Sequence, residues 1–153
     1  MMMNHSMITR ILTLCLVLSV LLALSAIGSA AWAQTKTDKV FHATAVDAKG
    51  VETDVKNITF YWEEKISETA FVPHELREVP VKRGTATVKI KFEGIKSIDL
   101  KPLGNGAPPN VTITLHDGKT GEFVLAIAGS FKGQSDFGEV ELPAAELKKL
   151  TFK

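Results

Sequence analysis

Residues 85–92 read Thr-Ala-Thr-Val-Lys-Ile-Lys-Phe, and this strict alternation leaves the local backbone little choice. Side chains two apart share one face of a strand. Ala86, Val88, Ile90 and Phe92 therefore form an apolar face, and Thr87, Lys89 and Lys91 a wet one, as in an antiparallel sheet covered on one side. The same alternation recurs in Phe41/Ala43/Ala45, Ile58/Phe60/Trp62, Val111/Ile113/Leu115, Phe123/Leu125/Ile127 and Val140/Leu142. Between these runs stand Asp47-Ala48-Lys49-Gly50, Arg83-Gly84, Asp117-Gly118 and Asp136-Phe137-Gly138. Glycine accepts the positive φ of a tight hairpin, so each reads as a turn. Helix is scarce: 63–70 and 143–150 each have room for a turn or two, the latter with Pro143 at its first position. The fold class is all-β, with one or two short helical turns.

The pattern repeats within the chain. Setting 88–100 against 140–152 aligns Val88 with Val140, Ile90 with Leu142, Ile95 with Leu147, Ile98 with Leu150 and Leu100 with Phe152. Upstream, Phe41, Ala43, Ala45 and Asp47 align with Val111, Ile113, Leu115 and Asp117 at a larger offset. The first copy, about 38–100, therefore carries an insertion within 61–80, and the second spans about 111–152. Between them lies a Gly/Pro linker over 101–110, which cannot be a central strand. Two related halves can build an antiparallel β-sandwich around one core or a pair of small barrels. Each half alone is near the lower size limit for a stable core, which favours a single domain over 34–153 with the halves packed together.

In the second copy a strand ends at Asp117-Gly118 and the next begins at Gly121-Glu122-Phe123. A third follows Phe137-Gly138, and a turn leads into a last short strand. This order resembles that of small Sm-like and SH3-like barrels and of small exported bacterial β domains. The resemblance implies a fold and assigns no functional residue.

The N-terminus speaks to compartment. Arg10 precedes an almost unbroken apolar run from Ile11 to Leu24, and small residues end at Ala31-Trp32-Ala33. These are the three parts of a secretory signal peptide, 1–33, cut after Ala33. The alternatives are an uncut membrane tether, since 11–33 is long enough to span a bilayer, and a lipoprotein on Cys15, which Leu14 before it argues against. Cys15 is the one cysteine, so the exported chain has no disulfide and no thiolate. Beyond Ala33, 17 basic residues face 17 acidic ones with no block of either sign. Nucleic acid is therefore not an expected partner.

No chemical motif stands out. His42, His74 and His116 are scattered singly, unlike the close fixed spacing of metal ligands. Neither G-x-S-x-G nor a phosphate loop occurs in the exported part. No cofactor is expected. The insertion is the most informative segment. It holds Tyr61, the one tyrosine, Trp62, the one tryptophan beyond the leader, and then Phe71, Pro73 and His74. Aromatics beside a Pro-containing loop on a rigid sheet suit contact with a ligand or partner; the same residues also suit capping an open end of the core. The reading favoured is an exported, periplasmic or extracellular, non-enzymatic binding or assembly module whose partner is a protein or surface ligand. The first alternative is a small periplasmic hydrolase or metal-dependent enzyme built from the three histidines and nearby carboxylates. The second is a β domain tethered to the membrane by its N-terminus.

Overall fold

The computed structural model describes residues 39–153. The leader in 1–33, its cut after Ala33 and the tether and lipoprotein alternatives lie outside the described residues. The turn residues do what their chemistry dictates. Strand β1 (Ala43–Asp47) turns into β2 (Glu52–Lys65) through Gly50, at φ 82°. The Asp47 carboxylate accepts the N–H groups of Lys49 (2.8 Å) and Val51 (2.9 Å) in that turn. Strand β3 (Phe71–Leu76) folds back on β2, and β4 (Glu78–Arg83) and β5 (Ala86–Lys91) form the next hairpin around Gly84. A 3-10 turn (Phe92–Gly94) leads into β6 (Ile95–Lys101), followed by β7 (Asn110–Leu115) and β8 (Thr120–Leu125). Then come β9 (Ser130–Ser135), β10 (Gly138–Pro143), a second 3-10 turn (Ala144–Glu146) and β11 (Leu147–Phe152).

The class is all-β and antiparallel, as the alternation requires. The described strands join one open sheet in the order β10-β9-β2-β1-β11-β6-β7-β8-β4-β5, with β3 attached to β2 off this path. The buried apolar residues form a single core cluster. Phe92 touches Phe41, Phe131 and Phe152. Phe131 sits on β9 and Phe92 just before β6, well apart in strand order, so the sheet curls over its own interior.

Three local expectations are corrected. The stretch 63–70 is not helical: β2 continues to Lys65 because β3 pairs with it from Phe60↔Leu76 to Lys65↔Phe71. The 61–80 insertion is thus a hairpin plus the start of β4 rather than a loop. The stretch 143–150 is helical only over Ala144–Glu146, because Leu147 and Leu150 are both buried as strand residues of β11. The 101–110 linker keeps its 102–109 stretch outside the strands and closes a hairpin, since β6 and β7 pair up to Lys101↔Asn110. Finally, the clearest alternation belongs to a terminal strand. On β5 Ala86 and Val88 are exposed, Ile90 is half-buried and only Phe92 beyond it is buried. Periodicity reports two faces, and tertiary position decides how deeply one of them is covered.

The strand order reads the same outward from the β11–β6 ladder in both directions. At that ladder Leu150 faces Ile98. Ala43 pairs with Val55 as Val111 pairs with Phe123, 68 residues on. Arg83 pairs with Ala86 as Ser135 pairs with Gly138, 52 residues on. Even the irregularities coincide. One bulge lies where β1 meets β11 just after Leu147, the other where β7 meets β6 just after Ile95. Ala48 N–H donates to the Glu146 carbonyl (2.8 Å) as His116 N–H donates to that of Gly94 (3.1 Å). The 68-residue offset places Ala43, not Phe41, opposite Val111. A slip of two residues keeps every side chain on its face, so alternation alone does not detect it. The excess of one offset over the other is 16 residues, which fits 62–77, the end of β2 and the whole of β3.

Candidate functional site

The extra hairpin builds the site. Residues two apart on β2 share a face, so Tyr61 and Glu63 lie together, and the Tyr61 hydroxyl donates to the Glu63 carboxylate. Trp62 turns the other way and stands opposite His74 in the β2–β3 ladder. The two rings stack with centroids 4.4 Å apart and planes 14° apart. The same His74 ring meets the Glu64 carboxylate at 3.0 Å through Nε2.

On its other side β2 pairs with β9, and the last pair is Tyr61↔Ser130. Beyond it, β2 runs four more residues, 62–65, with no strand on that side among the described residues. An open cleft of about 370 Å³ lies here, lined by Tyr61, Trp62 and Phe71 from the hairpin and by Gly129, Ser130 and Lys132 across from it. Gly129 is needed for this closeness. A Cβ there would stand 2.6 Å from both the Phe60 ring and the Tyr61 carbonyl oxygen. The Lys132 ammonium sits 3.3 Å from the Tyr61 ring centroid and 3.4 Å from the Glu141 carboxylate, so one cation bridges an aromatic face and an acid. The Trp62 indole N–H is out of solvent with no acceptor among the described residues, where buried polar groups ordinarily have a partner.

These neighbours act on Tyr61. Its hydroxyl is pushed up to about 12 from 10.0, first by the hydrogen bond to Glu63, then by burial, then by the negative charges of Glu63, Glu141 and Glu75. The folded chain thus holds the phenolic proton more tightly than the unfolded one. The associated stability is complete below pH 10 and is lost as pH rises from 10 towards 12. Because Tyr61 is the one tyrosine, phenolate absorbance reads it directly. Glu63→Gln should bring the midpoint down towards 10; an unchanged midpoint would show that the Glu63 contact is not what holds the proton.

Of the five residues singled out from sequence, Tyr61, Trp62 and Phe71 line the cleft. His74 supports it by stacking on Trp62. Pro73 does not line it; it lies exposed on β3, opposite Glu63. The core-capping role divides between the aromatics: Trp62 packs against the core, whereas Phe71 is 53% exposed. Sequence reasoning missed Gly129, Ser130, Lys132 and Glu141. They lie about 70 residues downstream and carry no local signal; only the β2–β9 ladder brings them in. His42 lies beside the Asn57 bulge, its Nδ1 accepting the Asn57 N–H at 3.4 Å, and His116 is exposed in the β7–β8 turn. The three histidines do not share a site, and no group of three metal-ligating side chains stands together among the described residues.

A second concavity of about 360 Å³ lies between β4 and the β7–β8 hairpin, with Lys82, Arg83, Lys101 and Glu122 on its wall. It has neither a stacked aromatic pair nor an orphaned polar group. A family model described as "Uncharacterised protein" matches residues 37–153, and the chain belongs to that family. A comparison with curated proteins finds no match.

Proposed function

We propose that this family member is an exported, non-enzymatic binding or assembly module that receives an extended segment of a partner protein in the cleft beside the β2–β3 hairpin. The observation that carries the reading is the run of β2 past Tyr61↔Ser130, open on its β9 side among the described residues and flanked by an exposed Phe71 and an indole N–H with no acceptor among them. A strand edge with aromatic walls supplies both needs of a bound peptide: backbone partners for its ladder and pockets for alternate side chains. Export follows from the leader, with the chain beginning at Gln34; the intact mass of the released protein tests it.

We also read the scaffold as two copies of one five-stranded unit that exchange hairpins. Support comes from the palindromic order and the shared bulges. Each spatial half has five strands with a 3-10 turn between the fourth and fifth, an order that resembles SH3-like barrels. In this reading the insertion is what distinguishes one half from the other, which is why the cleft occurs once.

Phe71 is the residue to test, because it is exposed. Phe71→Ala should leave stability within about 0.5 kcal/mol. A photo-crosslinking amino acid at position 71 should trap one discrete partner in living cells, and the same probe at exposed Val51, on the β1–β2 turn, should not. Failure to trap any partner at 71 would overturn the reading.

A further inference from the structure

The two strands that end the sheet, β10 and β5, each pair on one side only among the described residues. They hold equivalent places at the two ends of the order, yet their polar residues are opposite in sign. On β5 Lys89 and Lys91 alternate with Val88 and Ile90; on β10 Glu139 and Glu141 alternate with Val140 and Leu142. The Lys89 side chain is 65% exposed and that of Glu141 50%. Their nearest opposite charges are loose ones, Glu78 at 3.7 Å and Lys132 at 3.4 Å. Val88, on the apolar face, is 38% exposed.

We propose that the chain associates with further copies of itself head to tail, with β5 of one copy adding antiparallel to β10 of the next. A single register satisfies both faces. With Lys89 opposite Glu141, Lys91 falls opposite Glu139, Ile90 opposite Val140 and Val88 opposite Leu142. The backbone agrees. Both terminal hairpins close on a two-residue loop, at Arg83↔Ala86 and Ser135↔Gly138. Such a closing pair spends its backbone bonds inside the hairpin, and bonding then alternates. Lys89 and Lys91, Glu139 and Glu141 therefore turn their N–H and C=O groups to the open edge, the same residues that this register pairs. The equivalent ends also match in face, so apolar meets apolar. Pairing β5 with β5 sets lysine against lysine, and β10 with β10 sets glutamate against glutamate. Charge thus protects like edges from each other and leaves the unlike pair open. The contact is heterologous, so it propagates instead of stopping at a dimer. One strand edge is a small interface, so the association is weak and concentration-dependent.

Sedimentation of the protein, purified as cells produce it, should show mass rising with concentration and falling back in about 1 M salt, where surface charge is screened. Lys89→Glu with Lys91→Glu should remain monomeric, as should Glu139→Lys with Glu141→Lys. An equimolar mixture of the two should associate again, since one then carries two acidic edges and the other two basic ones; misfolded variants would not recover. Oxidation of a Lys89→Cys, Glu141→Cys double variant should give a ladder beyond dimer that neither single variant gives. A wild-type monomer at every concentration, a species that stops at two copies, or association that both charge reversals leave intact would overturn the proposal. Lys89 and Lys91 do not line the cleft, so their variant separates this contact from the cleft reading.

Discussion

Phe92→Ala is expected to cost about 3–5 kcal/mol of folding stability, the range for truncating a buried phenylalanine. Domains of this size are held by roughly 5–15 kcal/mol, so the variant should melt well over 10 °C lower or fail to accumulate. The reason is position as much as size. Phe92 is 1% exposed and follows β5, a strand whose other apolar residues are covered poorly or not at all. Its ring meets Phe41 edge-on at 5.7 Å, Phe152 at 4.9 Å and Phe131 at 6.5 Å. Phe41 precedes β1, Phe131 lies on β9 and Phe152 on β11, so one side chain joins the central segment, β4 to β8, to the strands that flank it. The place equivalent to Phe92 in the second 3-10 turn is Ala144, so no second aromatic stands ready to fill the void. Urea unfolding should give a lower midpoint with an unchanged slope. A loss below about 1 kcal/mol would show that the fold does not depend on this cluster.

Gly133→Ala should be of similar severity for the opposite reason. A Cβ on Gly133 would stand 2.4 Å from Val55 Cγ1, 2.6 Å from the Lys56 carbonyl oxygen and 3.4 Å from Ile58 Cα. Two of those atoms are backbone, fixed by the β2–β9 ladder on either side of the Asn57 bulge, where φ is 51°. Overpacking typically costs about 1–3 kcal/mol. Here the strand cannot yield without breaking pairs that also carry Tyr61, so about 3 kcal/mol or more is expected. Gly94→Ala is the control: nothing lies within 4 Å of its Cβ position, and the change should stay within about 0.5 kcal/mol. The check is paired denaturation curves. Equal effects at 94 and 133 would mean that the cost comes from losing glycine as such and not from the approach of β9 to β2. Gly133→Ala should also shift the Tyr61 midpoint, because β9 carries Lys132 against that ring.

The all-β class was legible because alternation is a local property: Phe60, Val111, Ile113 and Leu125 declare their faces to anyone counting by two. The Asp-Gly turns were legible for the same reason, since positive φ is decided within four residues. Ile95 and Leu147, and Ile98 and Leu150, which the alignment of 88–100 with 140–152 sets together, are all buried. The upstream alignment differs by two residues from the 68-residue offset between the ladders, a shift to which alternation is blind. The short helix that the spacing predicts over 63–70 fails because its 63–65 backbone finds a better partner in β3, and a partner up to ten residues away is not a local property.

Half of the cleft was written in the sequence as well. Tyr61, Trp62 and Phe71 are conspicuous by rarity and spacing, and their hairpin is close enough along the chain to be read as one segment. Tertiary structure alone decided what faces them. Gly129, Ser130, Lys132 and Glu141 reach the site because β2 chooses β9 as its neighbour, and the opposed charges of β5 and β10 acquire meaning only once both are sheet ends. Local sequence fixes which way each side chain points; which strands become neighbours is settled by burying one shared core, a term that belongs to the whole chain and to no stretch of it.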